Sequence, residues 1–385
     1  MTHALPPIDR GSLLATRRDI HQHPELGFEE TRTAALVADR LRGLGYAVTT
    51  DVGRTGVVGL KAGAGQCVLI RADMDALPIE EETAAPYRSR HPGRMHACGH
   101  DGHVAIGLEV ARRLAGSPLP GAVKFVFQPA EEVSNGAQAM IEDGVLERPR
   151  VDAAFGLHLW NNLPVGTVAV TDGPMMASVD QFEITVLGRG GHAGAPHQTV
   201  DPVLVAAHVV TALQSLVARR RNPLEDAVVS VTAIHAGDAF NVIPGRADLR
   251  GTVRTFGGRF WDEAPRLVDE TARGIAAAFG ARADVRYQRL SGRLVNDTRM
   301  AGMMREVAAA VVGSDHVRTD VRTMGGEDMS FFLDRVPGCF AFVGSAPRDG
   351  ADASPHHSAT FDIDEDSLAI GADLLARTVL RYLAS

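Results

Sequence analysis

A thiol and several imidazoles stand close together in the segment 95–103, MHACGHDGH. Cys98 and His100 are two residues apart, so their side chains can reach the same ion or neighbouring ions. Thiolate sulfur and imidazole nitrogen are ligands for zinc and for transition metals of similar softness. An isolated cysteine is more often a small buried apolar residue, but Cys98 lies between two histidines. The segment therefore predicts a metal site.

Further segments supply the ligands that such a site still lacks. Glu131 and Glu132 follow the apolar run 123–127, His158 lies in a second apolar run, and His356 and His357 are adjacent near the C-terminus. Together with the thiol and the first imidazole, Glu132, His158 and one C-terminal histidine make five ligands. Five ligands are too many for one tetrahedral ion but suit two ions that share a bridge.

Such a pair of ions predicts hydrolysis of an amide. Two ions ~3.5–4 Å apart can polarise a carbonyl and lower the pKa of a bridging water. The reaction also needs a proton carrier, and Glu131 is the candidate. Asp73 and Asp75 are predicted to orient ligating histidines, as carboxylates near metal sites often do. The alternatives are a solvated helix start for the glutamate pair and a closed turn before Pro78 for the aspartates.

Composition limits the class of protein and its partners. The formal charge of −8 and the pI near 6.0 argue against a nucleic-acid or anionic-membrane binder. No run approaches the ~20 uninterrupted apolar residues of a membrane span, and the N-terminus lacks the features of a secretory signal. Cys67, Cys98 and Cys339 are too few and too widely spaced for a disulfide framework. We expect a cytoplasmic protein without nucleic-acid or membrane partners.

The first ~175 residues alternate helical and strand patterns, as in an α/β layer architecture. Strands are predicted over 67–72, 123–127 and 153–159, and a helix capped by Asp101 is predicted to run to about residue 114. The candidate carboxylates and His158 stand at the ends of these strands. Ligands of open α/β sheets gather at the carboxyl ends of the strands, so we expect one common site.

The pattern changes near residue 177. The order of predicted elements is then β-α-β-β-α-β, with a strand at 181–187, a helix at 202–219, strands at 227–234 and 246–255, a helix at 261–279 and a strand at 283–289. This is the order of a ferredoxin-like unit. We therefore predict a catalytic domain in two parts, 1–177 and 291–385, with a second domain inserted at 178–290.

The motifs together resemble the family-20 dinuclear metallopeptidases, in the branch of N-acyl-amino-acid amidohydrolases, hippurate hydrolases and plant auxin-conjugate hydrolases. The resemblance runs in the family's order from about residue 17 to about residue 365, so it covers nearly the whole chain. The segments that carry it are HQHPELG at 21–27, RADMDALP at 71–78, MHACGHDGH at 95–103, QPAEE at 128–132, GGHAGAPH at 190–197, NVIPG at 241–245, GGED at 325–328 and HSATF at 357–361.

The resemblance implies a mixed-sheet α/β metallopeptidase catalytic domain with an inserted ferredoxin-like (βαββαβ) lid domain. It implies Glu131 as the general base. In the family pattern the C-terminal ligand stands four residues before an aromatic residue, here Phe361, which selects His357 and leaves His356 as the alternative. The implied ligands of two divalent ions (Zn, Mn, Co or Ni) are Cys98, His100, Glu132, His158 and His357.

The resemblance also implies roles for residues of the inserted domain. His192 is expected to reach an active site, commonly that of the partner subunit, and to stabilise the tetrahedral oxyanion. Asn241 and Arg254 are candidates for holding the substrate carbonyl or carboxylate, and Arg246 and Arg250 compete with Arg254. A homodimer or homotetramer assembled through the lid is expected.

We therefore predict a metal-dependent amidohydrolase of the aminoacylase or hippurate hydrolase type, which cleaves small N-acyl-L-amino acids such as N-acetyl or N-benzoyl compounds. A dipeptidase or an N-carbamoyl-amino-acid hydrolase would use the same site. A catalytically silent metal- or ligand-binding protein would lack the base or a ligand, whereas Glu131 and every candidate ligand are present.

Overall fold

A computed structural model of the protein describes residues 5–133, 135–348 and 353–385. Its strands are β1 (Ala47–Val52), β2 (Gly56–Lys61), β3 (Cys67–Asp73), β4 (Ala122–Gln128), β5 (Ala153–Pro164), β6 (Val168–Ala169), β7 (Gly173–Met176), β8 (Val179–Leu187), β9 (Gly191–His192), β10 (Ala227–His235), β11 (Val242–Ile243), β12 (Arg246–Thr255), β13 (Arg282–Ser291), β14 (Leu294–Asn296), β15 (Val317–Arg318) and β16 (Gly338–Ala346). Its helices are α1 (Arg10–His21), α2 (Thr31–Gly43), α3 (His100–Ala115), α4 (Gly136–Glu142), α5 (Pro202–Ser215), α6 (Arg259–Ala278), α7 (Thr298–Val312), α8 (Ser330–Leu333) and α9 (Asp366–Leu383).

The first of two compact units extends to Gly173 and resumes over Val295–Arg322 and Asp328–Ser385. Its sheet has the order β1-β2-β4-β3-β5-β16-β6-β15. The strands β4, β3, β5 and β16 are parallel, whereas β1 and β2 join antiparallel. Every residue of β3 and β4 is buried, because the central strands of such a sheet are covered on both faces. The predicted mixed-sheet α/β class is confirmed.

Helices α3 and α9 pack on each other and on the central strands β3 and β5. Their apolar side chains complete one hydrophobic core with the sheet, which includes Phe125, Phe155, Leu157, Leu368 and Leu375. This core holds the sheet and the start of α3 in one rigid frame, which the candidate site requires.

The parallel register aligns the ends of the central strands. Asp73 stands opposite Gln128 at the ends of β3 and β4, and His158 of β5 stands opposite Phe342 of β16. The strand predicted to end at residue 159 continues to Pro164, because the pairing with β16 extends beyond it. His158 therefore lies within a strand and not after one.

The predicted capping role of Asp101 is wrong. Helix α3 begins at His100, and its N-cap is Gly99 at φ 90°, a left-handed conformation that glycine adopts without steric cost. The Asp101 carboxylate instead accepts hydrogen bonds from Arg17 Nε and His21 Nδ1, both at 2.8 Å. A short polar residue near a predicted helix start can serve a tertiary contact as well as a cap.

Arg17 ties three segments together within the first unit. Its guanidinium is fully buried and pairs with Asp101 at 2.8 Å, Asp362 at 2.6 Å and Glu365 at 3.0 Å. These contacts link α1 to the start of α3 and to the loop that precedes α9. Removal of one partner from such a buried network typically costs about 3–5 kcal/mol of stability.

The second unit comprises Pro174–Leu294 and the separate segment Thr323–Glu327. Its four-stranded antiparallel sheet has the order β10-β12-β8-β13, and α5 and α6 pack against it. The element order along the chain is β-α-β-β-α-β. The separate segment joins the unit by backbone hydrogen bonds, from Thr323 N to Met175 O at 3.1 Å and from Ala177 N to Gly325 O at 2.9 Å.

The helical stretch Pro202–Arg220 has the length and mean hydropathy of a membrane span, judged by these two properties alone. Its run of apolar residues is interrupted, for example by His208 and Gln214. Val205 and Val209 are buried in the core of the second unit. The apolar composition is thus used, at least on one side, for packing against the sheet.

The buried ion pairs of His21 predict a pH-dependent stability. Burial disfavours a charge on the ring, but contacts with Asp101 and Glu81 outweigh it and raise the pKa of His21 to about 9. Because this pKa lies above the ordinary value of 6.5, His21 stabilises the fold fully below about pH 6.5 and loses this contribution as the pH rises through about 9. We expect His21→Gln to lower the free energy of unfolding more at about pH 6 than at about pH 9.5 in urea titrations.

His23→Gln is the matched control, since the His23 ring is partly exposed and its Nδ1 donates to the backbone carbonyl of Asp19. An equal loss of stability at both pH values in His21→Gln would contradict the assignment of the charge.

Candidate functional site

The segment 98–100 brings a thiol and an imidazole to the carboxyl ends of the parallel strands. The positive φ of Gly99 turns the chain between Cys98 and His100. The Cys98 sulfur lies 3.5 Å from His158 Nε2, and the ligand atoms of Cys98, His100 and His158 all lie within 4.8 Å of one another. These three predicted residues are therefore brought together from the start of α3 and from β5.

The Glu131-Glu132 pair follows β4 in a tight turn. Both backbone N–H groups of the pair donate to Asp75, one to each carboxylate oxygen, at 3.0 Å. The glutamate side chains then face His100 Nε2, with Glu131 Oε2 at 4.0 Å and Glu132 Oε1 at 3.9 Å. Asp75 thus orients the loop that carries the two carboxylates, and its Oδ1 also lies 3.3 Å from His100 Nδ1.

Hydrogen bonds select the tautomer of His158. Its Nδ1–H donates to the carbonyl of Leu159 at 2.7 Å, so the lone pair of Nε2 is directed towards Cys98. His103, one turn after His100, supports this strand: its Nδ1–H donates to Asp73 at 2.6 Å, and its Nε2 accepts the N–H of Leu159 at 2.9 Å. Sequence reasoning did not single out His103, although its i, i+3 spacing from His100 places it on the same helical face.

The structure distinguishes the two C-terminal histidines. His357 Nε2 lies 3.4 Å from Glu132 Oε2, and the ligand atoms of Cys98, Glu132 and His357 lie within 4.8 Å of one another. His356 Nε2 is instead a hydrogen-bond donor to the carbonyl of Leu159 at 3.0 Å. His357 is therefore the imidazole that faces the cluster, and its role as a metal ligand stays a prediction.

The pKa shifts report an excess of negative charge around His100. Burial disfavours a charge on this ring, but Asp73, Asp75 and Glu132 outweigh it and raise its pKa to about 10. Burial and the neighbouring carboxylates, first of all Glu132, hold the pKa of the Cys98 thiol well above its usual range. Burial alone would raise the pKa of Glu132, but the hydrogen bond to His357 and the charge of His100 lower it.

The same atoms fit divalent cations. Within the residues that the structure describes, His100 Nε2 and Glu132 Oε1 are buried and make no hydrogen bond. The distances from His100 Nε2 to carboxylate oxygens of Asp73, Glu131 and Glu132 are 3.7, 4.0 and 3.9 Å, which are too long for hydrogen bonds. Buried imidazole and carboxylate atoms that face one another without hydrogen bonds, beside a thiol, suit divalent transition-metal ions.

A second network fixes Asp73 and the end of β4. Arg71 is fully buried and donates to Asp73 at 2.6 Å, to Gln128 at 2.9 Å and to Asp328 at 2.9 Å. Asp328 also accepts from Gln128 Nε2 at 2.7 Å and from the N–H of Ala137 at 3.0 Å. Asp328 belongs to the GGED motif, for which sequence reasoning had no role; nothing in its spacing from Arg71 indicates this contact.

His192, Asn241 and Arg254 belong to the second unit, whereas the metal-ligand candidates belong to the first. β9 pairs with β11, with His192 opposite Val242, and Ala193 N donates to the carbonyl of Asn241 at 3.0 Å. His192 and Asn241 thus lie on neighbouring backbone segments, and both residues are exposed.

The three candidate arginines of β12 differ in their contacts. Arg246 pairs with Asp248 at 2.6 Å and Arg250 with Glu183 at 3.3 Å. Arg254 is half-buried, its Nε donates to Thr252 Oγ1 at 3.0 Å, and burial lowers its pKa. Among the described residues, Arg254 makes no direct ion pair with a carboxylate. It is therefore better suited than Arg246 or Arg250 to bind an anionic ligand.

The fold and the cluster define a metal-dependent enzyme, and the comparisons name its family. Residues 69–381 match the family model of Peptidase family M20/M25/M40. The N-acetylcysteine deacetylase of Bacillus subtilis is 40% identical over 377 residues, which is 96% of this chain and 97% of that protein. The hippurate hydrolase of Campylobacter jejuni is 37% identical over 380 residues, 97% of each chain.

A solved structure from Bacillus subtilis, described as a dinuclear metal-binding peptidase of the M20 family, superposes with a TM-score of 0.83 at 36% identity and covers 97% of this chain and 98% of that one. The chain therefore belongs to Peptidase family M20/M25/M40. It is an amidohydrolase, and the predicted family and enzyme class are confirmed.

Proposed function

We propose that the protein hydrolyses the amide bond of small N-acyl-L-amino acids, of the N-acetyl or N-benzoyl type, to a carboxylate and a free amino acid. The observation that carries the proposal is the Glu131 carboxylate, which stands at the edge of a buried cluster of thiol, imidazole and carboxylate donors. Relatives named for the hydrolysis of N-acetylcysteine and of hippurate, both N-acyl amino acids, support the substrate class.

We infer that two divalent ions, Zn, Mn, Co or Ni, are held by Cys98, His100, Glu132, His158 and His357. The overlap of the donor groups supports two ions, since Cys98 belongs both to the group with His100 and His158 and to the group with Glu132 and His357. When bound, the ions would polarise the substrate carbonyl and lower the pKa of water. Asp75 orients His100 and the glutamate loop, and Asp73 orients His103 and through it the strand of His158.

Glu131 is the general base of this proposal. Its carboxylate takes a proton from the attacking water and delivers it to the leaving amine. The hydrogen bond from its backbone N–H to Asp75 holds the loop in which it stands. His192 stabilises the oxyanion, and Asn241, which is adjacent to it in the fold, binds the substrate carbonyl. Arg254 binds the substrate carboxylate, for which a guanidinium fork is suited.

The test of the function combines metal analysis with an assay of amino-acid release from N-acetyl and N-benzoyl amino acids. We expect about two transition-metal ions per chain, and we expect a chelator to abolish the release of amino acid. Glu131→Gln should keep the ions and lower kcat by about 10²–10⁴-fold, because only the proton carrier is lost. Glu29→Gln, on an exposed side chain, is the control and should be unchanged.

Ion binding without release of any N-acyl amino acid would redirect the search to dipeptides and N-carbamoyl compounds. Substantial turnover by Glu131→Gln would refute the assignment of Glu131 as the base. The absence of metal after reconstitution would refute the proposed metal site.

The adjacent histidines give a matched pair of variants for the ligand set. We expect His357→Ala to lower the metal content to about one ion per chain and to abolish most turnover, because the cluster loses one donor. His356→Ala should keep both ions, since the His356 ring donates to a backbone carbonyl. Elemental analysis after gel filtration measures the difference, and the reverse pattern would assign the ligand to His356.

We propose a homodimer or homotetramer assembled through the second unit, in the cytoplasm. The edge strand β10 and the segments beside it expose apolar side chains, with Phe240 at 99% and Leu224 at 93% of full exposure and Ile234 and Val242 about half exposed. Exposed apolar side chains beside an unpaired strand edge are typical of an interface. The three free cysteines fit a reducing compartment.

Sedimentation velocity tests the assembly. We expect a mass of about two or four times 40.9 kDa, and we expect Ile234→Lys on β10 to dissociate it because a charge would be buried at the interface. Gln288→Lys on the opposite edge strand β13 is the control. A monomer at micromolar concentration would refute the proposal.

A further inference from the structure

Glu30 is a fully buried carboxylate with no part in the chemistry proposed above. It lies in the first unit, directly before α2. Its Oε1 accepts the backbone N–H of Ala130 at 2.8 Å, across 100 residues of sequence, and its Oε2 accepts the Thr55 hydroxyl. A buried carboxylate is costly unless it is paired or hydrogen-bonded. These two contacts offset that cost, and the question is what a carboxylate at this position does.

Ala130 is the residue before the proposed base, and its backbone is unusual. It has a φ of 52° and is completely buried. In the left-handed region the Cβ of an L-residue comes too close to the following carbonyl oxygen, so the surrounding contacts must hold Ala130 there. The carbonyl of Ala130 accepts the N–H of Gly136 at 3.2 Å, which closes the turn that follows β4.

Three consecutive backbone amides of this turn are thus held by two buried carboxylates. The N–H of Ala130 donates to Glu30, and those of Glu131 and Glu132 donate to Asp75. The direction of each glutamate side chain depends on the backbone that precedes it, because the left-handed residue sets the angle at which the chain leaves β4. Glu30 therefore acts on the side chains of Glu131 and Glu132 through the backbone.

The segment that carries Glu30 is shaped to reach this turn. A Cβ at Gly27 would lie 3.2 Å from both the Cα and the Cβ of Ala130, so only a glycine allows the approach without displacement. The carbonyl of Glu25 accepts the N–H of Ala76 at 2.8 Å, beside Asp75. The sequence alone gave no role to the HQHPELG motif. In the structure, its residues contact the turn that carries Glu131 and Glu132 and the segment that carries Asp75.

A purely local role for Glu30 as the cap of α2 does not fit. Glu30 occupies the N-cap position, but its side chain makes no capping hydrogen bond. Glu25 performs this function instead, since its carboxylate oxygens accept the N–H groups of Arg32 and Thr33, both at 2.8 Å. The Glu30 carboxylate is directed to the turn after β4.

We propose that Glu30 is a positioning residue for the Glu131-Glu132 turn, which holds Ala130 in its left-handed conformation and thereby aims the carboxylate of Glu131. The catalytic part of this inference rests on the proposed function; the hold on the turn does not. Gln at position 30 can accept the Ala130 N–H with its carbonyl and donate to the Thr55 hydroxyl oxygen with its amide, whereas Ala can do neither.

The test compares Glu30→Ala, Glu30→Gln and, as a control in the same segment, Glu25→Ala. Hydrogen exchange of the metal-loaded protein, followed by mass spectrometry, reads the amides of residues 130–132. We expect Glu30→Ala to accelerate this exchange about tenfold or more and to lower kcat about 10–100-fold, with KM within about threefold and about two ions still bound. Glu30→Gln should restore both, and Glu25→Ala, which removes the cap of α2, should change neither.

Unchanged exchange in Glu30→Ala would refute the claim that Glu30 holds the turn. Faster exchange with unchanged kcat would refute the claim that Glu30 positions the carboxylate of Glu131. A protein that releases no N-acyl amino acid would refute the proposed function, while exchange would still decide whether Glu30 holds the turn. Thr55→Val, which removes only the hydroxyl that donates to Glu30, serves where Glu30→Ala does not fold. Its exchange over residues 130–132 should rise in the same direction.

Discussion

The carboxylates crowded around the buried His100 ring are the constraint on which the rest of the site depends. Carboxylates buried side by side raise one another's pKa values and oppose folding unless positive charge or N–H groups compensate them. Arg71 compensates Asp73, and backbone amides compensate Asp75. These contacts leave negative charge at Glu132, whose Oε1 is buried without a hydrogen bond within the described residues. Divalent cations would neutralise this charge.

The contacts that support the site come from distant parts of the chain. Arg17 of α1 and Asp328 of the GGED motif contact the segments that bear the candidate ligands, and His103 supports the strand of His158. Each of these side chains is buried and uses its hydrogen-bonding groups on protein partners. The site is therefore held by supports that belong to the same unit as the sheet, in addition to the contacts that its own residues make.

Local patterns predicted much of this arrangement. Strand and helix periodicity gave the α/β class. Residue type and spacing gave Cys98, His100 and Glu132 as candidate ligands, since ligand chemistry is visible in a short segment, and the structure places their ligand atoms in overlapping groups. The family resemblance selected His357, and in the structure the ring of His356 is engaged by a hydrogen bond to a backbone carbonyl; the ligand role of His357 stays a prediction. Glu30 could not be found in this way, because its partner is 100 residues away and no periodicity links the two. Such contacts depend on which strands become neighbours.

The segment Thr323–Glu327 has a consequence for shuffling between relatives. Because it belongs to the second unit and bonds to Met175 of β7 and to Ala177, the chain passes between the units four times, after Gly173, Leu294, Arg322 and Glu327. A chimera that takes only residues 174–294 from a relative would combine that relative's main part of the second unit with the original segment Thr323–Glu327. The second unit is therefore not a single cassette, and recombination that respects the fold must transfer both pieces together.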